Sequence, residues 1–307
     1  MAQMRKNPRW KKGTKPAGEG TVIMFSGCKD DQTSADVQNA SAIGAGGACT
    51  TALLKALKET DEQSYPRLLV HMYDSIVAGG YTQRPMLSTN KKLDLIGQKF
   101  CIPAAAHGRY RALLVGINYV KTPNELSGCQ NDVQQMLSFF ASKGYTDTEC
   151  VKVLMDDGEH ESPTKDNMVS AMKWLVKGAK AGDTLFFHYS GHGTSVKDTS
   201  GDEADGQDEA LVPLDFQKSG MLTDDETHAV LVDHVPEGAS LTCVCDCCHS
   251  GSAMDLPYMY TRDDIAAADP EAAEDQPVQA QRNPLLIAAV ALAVPFFLSL
   301  LRRLFGM

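Results

Sequence analysis

Tyr189-Ser190-Gly191-His192-Gly193 and Asp246-Cys247-Cys248-His249-Ser250-Gly251 decide the fold of this chain. Each closes an apolar, β-branched run, Thr184 to Ser190 (TLFFHYS) and Ser240 to Asp246 (SLTCVCD), that reads as a buried strand. One strand-like and one helix-like segment separate the two. In an open α/β sheet, residues just past the carboxyl ends of neighbouring strands converge in one crevice, so His192 and Cys248 are expected to meet. A histidine at one strand tip and a cysteine at the next is how a cysteine hydrolase sets base beside nucleophile.

Outward from these runs, strand and helix patterns alternate. Thr21 to Ser26 reads as a strand, followed by helices over about 48–58 and 67–77, with a turn at 83–87 feeding a short strand near Leu93. Tyr110 to Ile117 is a strongly apolar strand, followed by a helix over 128–142, a strand over 150–155 and a helix over 165–177. Strand 184–190, strand 210–214, helix 224–233 and strand 240–246 complete the pattern. The expected class is α/β, a mostly parallel sheet sandwiched by helices.

A net charge of -10 and an apolar share of 43% describe a globular chain with enough apolar residues for a core, and the acidic balance argues against nucleic acid as a partner. Nine cysteines, with no secretory signal peptide ahead of them, fit reduced thiols facing the cytosol. Residues 1–18, rich in Lys and Arg, read as a basic disordered arm, and 263–283 as an acidic flexible spacer. Residues 284–301 are uncharged and apolar, about 27 Å long as a helix, which suits a bilayer core of about 30 Å. A single-pass tail anchor with the catalytic domain facing the cytosol is the expectation.

The chain resembles a metacaspase, one of the caspase-like cysteine peptidases, through HYSGHGTSVKDTSGDEADGQDEALVPLDF, DCCHSGSAMDLPY and SGCKDDQTSAD (Ser26 to Asp36). The last run usually follows the catalytic cysteine in that family. Here it precedes both motifs, an order similar to the rearranged type III metacaspases. The resemblance covers roughly 19–262, with a small-subunit-like region over 19–100 and a large-subunit-like catalytic region over 109–262. Permuting a compact domain requires only neighbouring original termini and a new break in an exposed loop.

From the residues, Cys248 is the nucleophile candidate and His192 its base, with the backbone N–H groups of Gly193 and Cys248 as oxyanion donors. Local rivals are Cys247, His249 and His188; strand alternation points Cys247 away from Cys248, and His188 lies inside its strand. The resemblance implies cleavage after Arg or Lys, with Cys129, Asp132, Ser190 and Asp246 at the substrate pocket, and protein or peptide substrates as partners of a monomer. It also implies calcium held by Asp208, Asp224, Asp225 and Asp255.

Six acids crowd 198–209 (Asp198, Asp202, Glu203, Asp205, Asp208 and Glu209), a density that favours a cation or ample water. An EF-hand is excluded, because Gly206 at the sixth loop position puts Gly201 first and Val212 last, where ligands are needed. Cys243, Cys245, Cys247, Cys248 and His249 lack the paired spacing of a structural zinc site, although neighbouring thiols leave a regulatory disulfide open. Two other readings stand beside the peptidase: a different clan member such as a legumain or separase, and a non-enzymatic membrane-tethered scaffold or aggregate-handling protein.

Overall fold

The computed structural model of the protein describes residues 5–6, 18–27, 36–37, 46–59, 64–92, 100, 108–145, 149–201, 203, 205–248 and 250–268. The first part of the chain runs β1 (Arg5–Lys6), β2 (Thr21–Ser26), β3 (Asp36–Val37), β4 (Gly46–Gly47), α1 (Ala48–Glu59), α2 (Tyr65–Ala78) and β5 (Met86–Thr89). The second runs β6 (Tyr110–Gly116), α3 (Cys129–Ser142), β7 (Val151–Met155), α4 (Lys165–Val176), β8 (Thr184–Ser190), β9 (Gly193–Lys197) and β10 (Gln207–Leu211). It continues through α5 (Phe216–Ser219), β11 (Leu222–Thr223), α6 (Asp224–Leu231), β12 (Ser240–Asp246), β13 (Tyr258–Tyr260) and α7 (Arg262–Ala268).

The helices begin where their sequences offer caps. Ser64 Oγ accepts the N–H of Arg67 at the start of α2, and Pro66 sits in the first turn, where its missing N–H breaks no bond. Thr223 and Glu226 form a reciprocal capping box on α6. Helix α1 has no acidic residue in its first turn. Its N–H donors find acceptors in the other part of the chain, as the site below shows.

Eight strands form the main sheet in the order β1-β13-β5-β2-β12-β8-β6-β7. The pairs β2–β12, β12–β8, β8–β6 and β6–β7 are parallel, whereas β1–β13, β13–β5 and β5–β2 are antiparallel. The sheet is therefore mixed: β2, β12, β8, β6 and β7 run parallel, and β5, β13 and β1 add antiparallel pairs along one edge. Along β8 and β12, Leu185, Phe187, Tyr189, Leu241, Cys243 and Cys245 face one apolar layer with α4 and α6. Phe186 and Val244 face the other, with α1, α2 and α3. That period of two also fixes the side on which Ser190 and Asp246 emerge.

A second sheet, β11-β10-β9, stands at the strand tips and carries the acidic loop between β9 and β10. Strand β5 at 86–89 begins inside the stretch read as a turn, and the strand expected near Leu93 falls in 93–99, outside the described residues. Arg5 and Lys6 pair with β13 within the stretch read as a basic arm, and α7 spans 262–268 at the start of the stretch read as a spacer.

The tail anchor is corrected. Among the described residues no helix is long and apolar enough to cross a membrane. The longest helices, α2 and α3 with 14 residues each, reach about 21 Å, short of the roughly 30 Å of a bilayer core. Residues 284–301 lie outside the described residues. The fold class is accordingly a helix-flanked mixed α/β sheet with no membrane-spanning helix among the described residues, and the tail-anchored, cytosol-facing location drawn from 284–301 is withdrawn.

Candidate active site

Strands β8 and β12 pair in register with Ser190 opposite Asp246, so His192 and Cys248 each stand two residues beyond a paired position. Gly193 lies directly against Cys248: a Cβ there would collide with the Cys248 carbonyl and come within 3.1 Å of Cys247 Sγ. Absence of a side chain is what lets the two strand tips approach. Cys248 is half-buried, while Cys247 is 1% exposed and belongs to the apolar layer. A substrate carbonyl can reach the first thiol and not the second. No disulfide joins the described cysteines.

His192 is held from two sides. Its Nε2 lies 2.8 Å from the Asn124 carbonyl. A carbonyl oxygen only accepts, so Nε2 carries the proton, and the lone pair of the neutral ring resides on Nδ1, the nitrogen left to take a proton. Its backbone N–H donates to Tyr119 Oη at 3.1 Å, and the two rings lie 4.7 Å apart. Tyr119 Oη donates to the Val212 carbonyl at 2.6 Å and Tyr189 Oη to the His192 carbonyl at 2.7 Å. Burial raises the pKa of both phenols, so they act as neutral hydrogen-bonding groups.

Sequence reasoning missed Tyr119 and Asn124. The signal for them was the same strand-tip rule, since β6 ends at Gly116 opposite Ser190 and the following loop enters the same crevice. Of the rivals, His188 is wholly buried, with Nε2 3.0 Å from Thr50 Oγ1, and desolvation lowers its pKa to about 3. It is neutral and out of reach of substrate. His249 lies outside the described residues.

The expected pocket residues converge on the side of the sheet that faces α1 and α3. Asp132, on α3, is buried; Ser190 Oγ donates to its Oδ2 at 2.6 Å, and the Gly47 N–H donates to both oxygens at 3.0 and 2.9 Å. Asp246 Oδ2 accepts the Thr50 N–H at 2.7 Å. The missing caps of α1 are thus carboxylates from α3 and β12. Cys129 is buried one turn before Asp132, and its N–H donates to Asn118 Oδ1 at 2.9 Å.

A second convergence lies in the acidic region. Carboxylate oxygens of Glu203, Asp224 and Asp255 come within 4.8 Å of one another, and all three residues are buried. Asp224 is anchored, accepting the Glu209 N–H at 2.9 Å and the Asp225 N–H at 2.8 Å. Asp255 adopts a left-handed φ of 48°, which Asp tolerates better than most residues. Asp208 is buried and Asp225 half-buried, both outside this cluster. Glu203 is a member that sequence reasoning counted only as one of six crowded acids. Oxygen donors from three segments suit a hard cation. Soft-metal ligation is not favoured: no thiol joins the cluster among the described residues, and burial pushes Cys243 well up and Cys245 up to about 12.

Residues 110–257 match the family described as "Metacaspase, peptidase C14 domain", and 3–95, which precede them in the chain, match "Caspase domain". "Metacaspase III c" of Phaeodactylum tricornutum is 42% identical over 259 residues, covering 80% of this chain and 77% of that protein. "Metacaspase-1" of Mycosarcoma maydis is 48% identical over 173 residues, covering 56% of this chain and 43% of that one. "Metacaspase-2" of Trypanosoma brucei brucei is 52% identical over 153 residues, covering 49% and 44%. The chain therefore spans under half the length of the fungal and trypanosomal relatives and most of the algal one. With a relative 42% identical over 80% of this chain and family matches in both of its parts, this chain belongs to the metacaspases and is a cysteine peptidase of that type.

Proposed function

We propose that the protein is a calcium-dependent endopeptidase that cleaves after arginine or lysine. The observation that supports the charge preference is the pair Asp132 and Asp246. A Cβ at Gly47 would overlap Asp246 Oδ2 and sit 2.9 Å from Asp132 Oδ2, so the two oxygens lie within about 5 Å of each other. Two carboxylates this close repel each other, and a guanidinium or ammonium group beside the pair relieves that repulsion while making charge-assisted hydrogen bonds. An aspartyl side chain would add a third negative charge.

The chemistry follows from the dyad. Nδ1 of His192 takes the Cys248 proton, and the thiolate attacks the carbonyl carbon of the basic residue. The N–H groups of Gly193 and Cys248 stabilise the developing oxyanion. Breaking the C–N bond passes the proton from His192 to the leaving amine, and water then hydrolyses the thioester.

Calcium would be held by Glu203, Asp224 and Asp255, with Asp208 and Asp225 on the neighbouring β10 and α6. A bound divalent ion supplies positive charge that neutralises these carboxylates and ties the β9–β10 loop to the turn after Cys248.

The test is hydrolysis of arginyl, lysyl and aspartyl peptide substrates by the full chain, with and without calcium. Arginyl and lysyl peptides should be cut only with calcium, and Cys248→Ala should abolish cleavage. Equal cleavage of aspartyl peptides would refute the specificity. Glu203→Gln should weaken the calcium-induced rise in melting temperature; an unchanged rise would remove Glu203 from the ligand set.

A further inference from the structure

We infer that Gly47, in the first part of the chain, is a positioning residue that sets the spacing of the two pocket carboxylates and thereby the fit of the basic side chain. The inference rests on the specificity proposed above and deepens it. Gly47 touches both acids at once. Its N–H is shared by the two oxygens of Asp132 at 3.0 and 2.9 Å, and its Cα lies so close to Asp246 that an added Cβ would overlap both the Asp246 carboxyl carbon and Oδ2. Three residues on, the Thr50 N–H takes the same Asp246 oxygen at 2.7 Å. The segment from β4 into α1 therefore forms a wall between Asp132 and Asp246, built from N–H donors and lacking a side chain.

Three consequences follow from this wall. The N–H donors and the positive end of α1 face the carboxylates, an arrangement that favours their anionic form. The gap is set by backbone atoms, which cannot rotate away as a side chain can. The pocket is also incomplete without the first part of the chain, since Asp132 and Asp246 belong to the second part and their spacer to the first. Gly47 has no left-handed φ, so glycine is required there for room and not for backbone conformation.

That distinction makes Gly47→Ala a clean probe, because alanine meets no backbone strain and acts only by pushing on the carboxylates. The variant should lose about a hundredfold in kcat/KM on arginyl and lysyl peptides, the cost of roughly 1 Å of misplacement in a positioning group. The ratio of arginyl to lysyl cleavage should change, since a planar fork and a point charge respond differently to the same shift. Alkylation of Cys248 by iodoacetamide, followed by mass spectrometry, should keep its wild-type rate, because it needs the dyad and not the pocket. Unchanged kcat/KM and an unchanged ratio would overturn the inference, as would a loss matched by an equal loss in alkylation.

A second measurement leaves the pocket intact and does not depend on the variant folding. Titrating the full chain carrying Cys248→Ala with an N-acyl-argininamide should shift the amide resonances of Gly47 and Thr50 with one common midpoint. Binding that leaves both amides unmoved would refute the role of this wall. Wild-type protein that does not cleave basic peptides at all would instead refute the specificity on which the inference rests.

Discussion

Tyr119→Phe removes a single oxygen that organises the histidine loop. The lost hydroxyl donates to the Val212 carbonyl at 2.6 Å, accepts the His192 N–H at 3.1 Å and lies 3.2 Å from Tyr189 Oη. Tyr189 Oη reaches the same Val212 carbonyl only at 3.3 Å, and its proton is engaged by the His192 carbonyl at 2.7 Å. The substitution therefore strands a buried carbonyl and weakens the hold on the His192 backbone. Each buried group left short of a partner costs about 1–3 kcal/mol. Relaxation shares that cost, so a net loss of about 2 kcal/mol is expected, which moves a urea midpoint by about 1 M at a typical slope.

Activity should respond more strongly than stability to this change. With the phenol gone, the imidazole keeps the Asn124 carbonyl but the His192 backbone N–H loses its acceptor, and an ångström of drift costs about a hundredfold in rate. The assay pairs urea unfolding with kcat/KM on an arginyl peptide and with Cys248 alkylation across pH. Tyr189→Phe should act in the same direction, and the double variant should fall short of additivity because the two hydroxyls share Val212. A Tyr119→Phe protein with a wild-type urea midpoint and wild-type kcat/KM would refute the reasoning.

Three further outcomes are expected. His188 is depressed to about pH 3 by burial, so the unfolded chain binds a proton that the native state refuses. Stability should therefore fall as pH drops from about 6.5 towards 3, by roughly 1 kcal/mol per unit from this group, and His188→Gln should flatten that slope; an unchanged slope in urea titrations at several pH values would count against it. Iodoacetamide on native protein should modify Cys248 and spare Cys243, Cys245 and Cys247, which are buried and, for the first two, raised in pKa; early labelling of any of the three, read by peptide mass, would contradict their burial. Phe140 meets the rings of Tyr110, Phe139, Tyr145 and Phe186 and is fully buried, so Phe140→Ala should cost about 3–5 kcal/mol in chemical denaturation, and a loss below about 1 kcal/mol would show that the layer beside α3 collapses to fill the hole.

Strands with strong local patterning were legible from end to end. TLFFHYS and SLTCVCD stand as β8 and β12 with the expected limits, and the helices α1 to α4 fall within a residue or two of their periodic runs. The elements missed were short or polar. Strand β9 (GTSVK) shows no alternation, because none of its residues is fully buried, and β13 is a three-residue strand that exists only because β5 and β1 flank it. Helix α7 was hidden by its acidic composition. Its start was nevertheless readable, since Thr261 and Asp264 exchange hydrogen bonds as a cap while Ile265 is buried.

What the sequence by itself determined is local chemistry: which residues can attack, take a proton or hold charge, and which strands they close. Backbone geometry repeats over two or four residues, so such features are written in neighbouring letters. Which carboxylates meet was decided by tertiary structure alone. Glu203 joins Asp224 and Asp255 while Asp208 and Asp225 stand beside them, and the start of α1 comes to rest between Asp132 and Asp246. The order of strands in the sheet sets these distances. Separation along the sequence holds no record of that order.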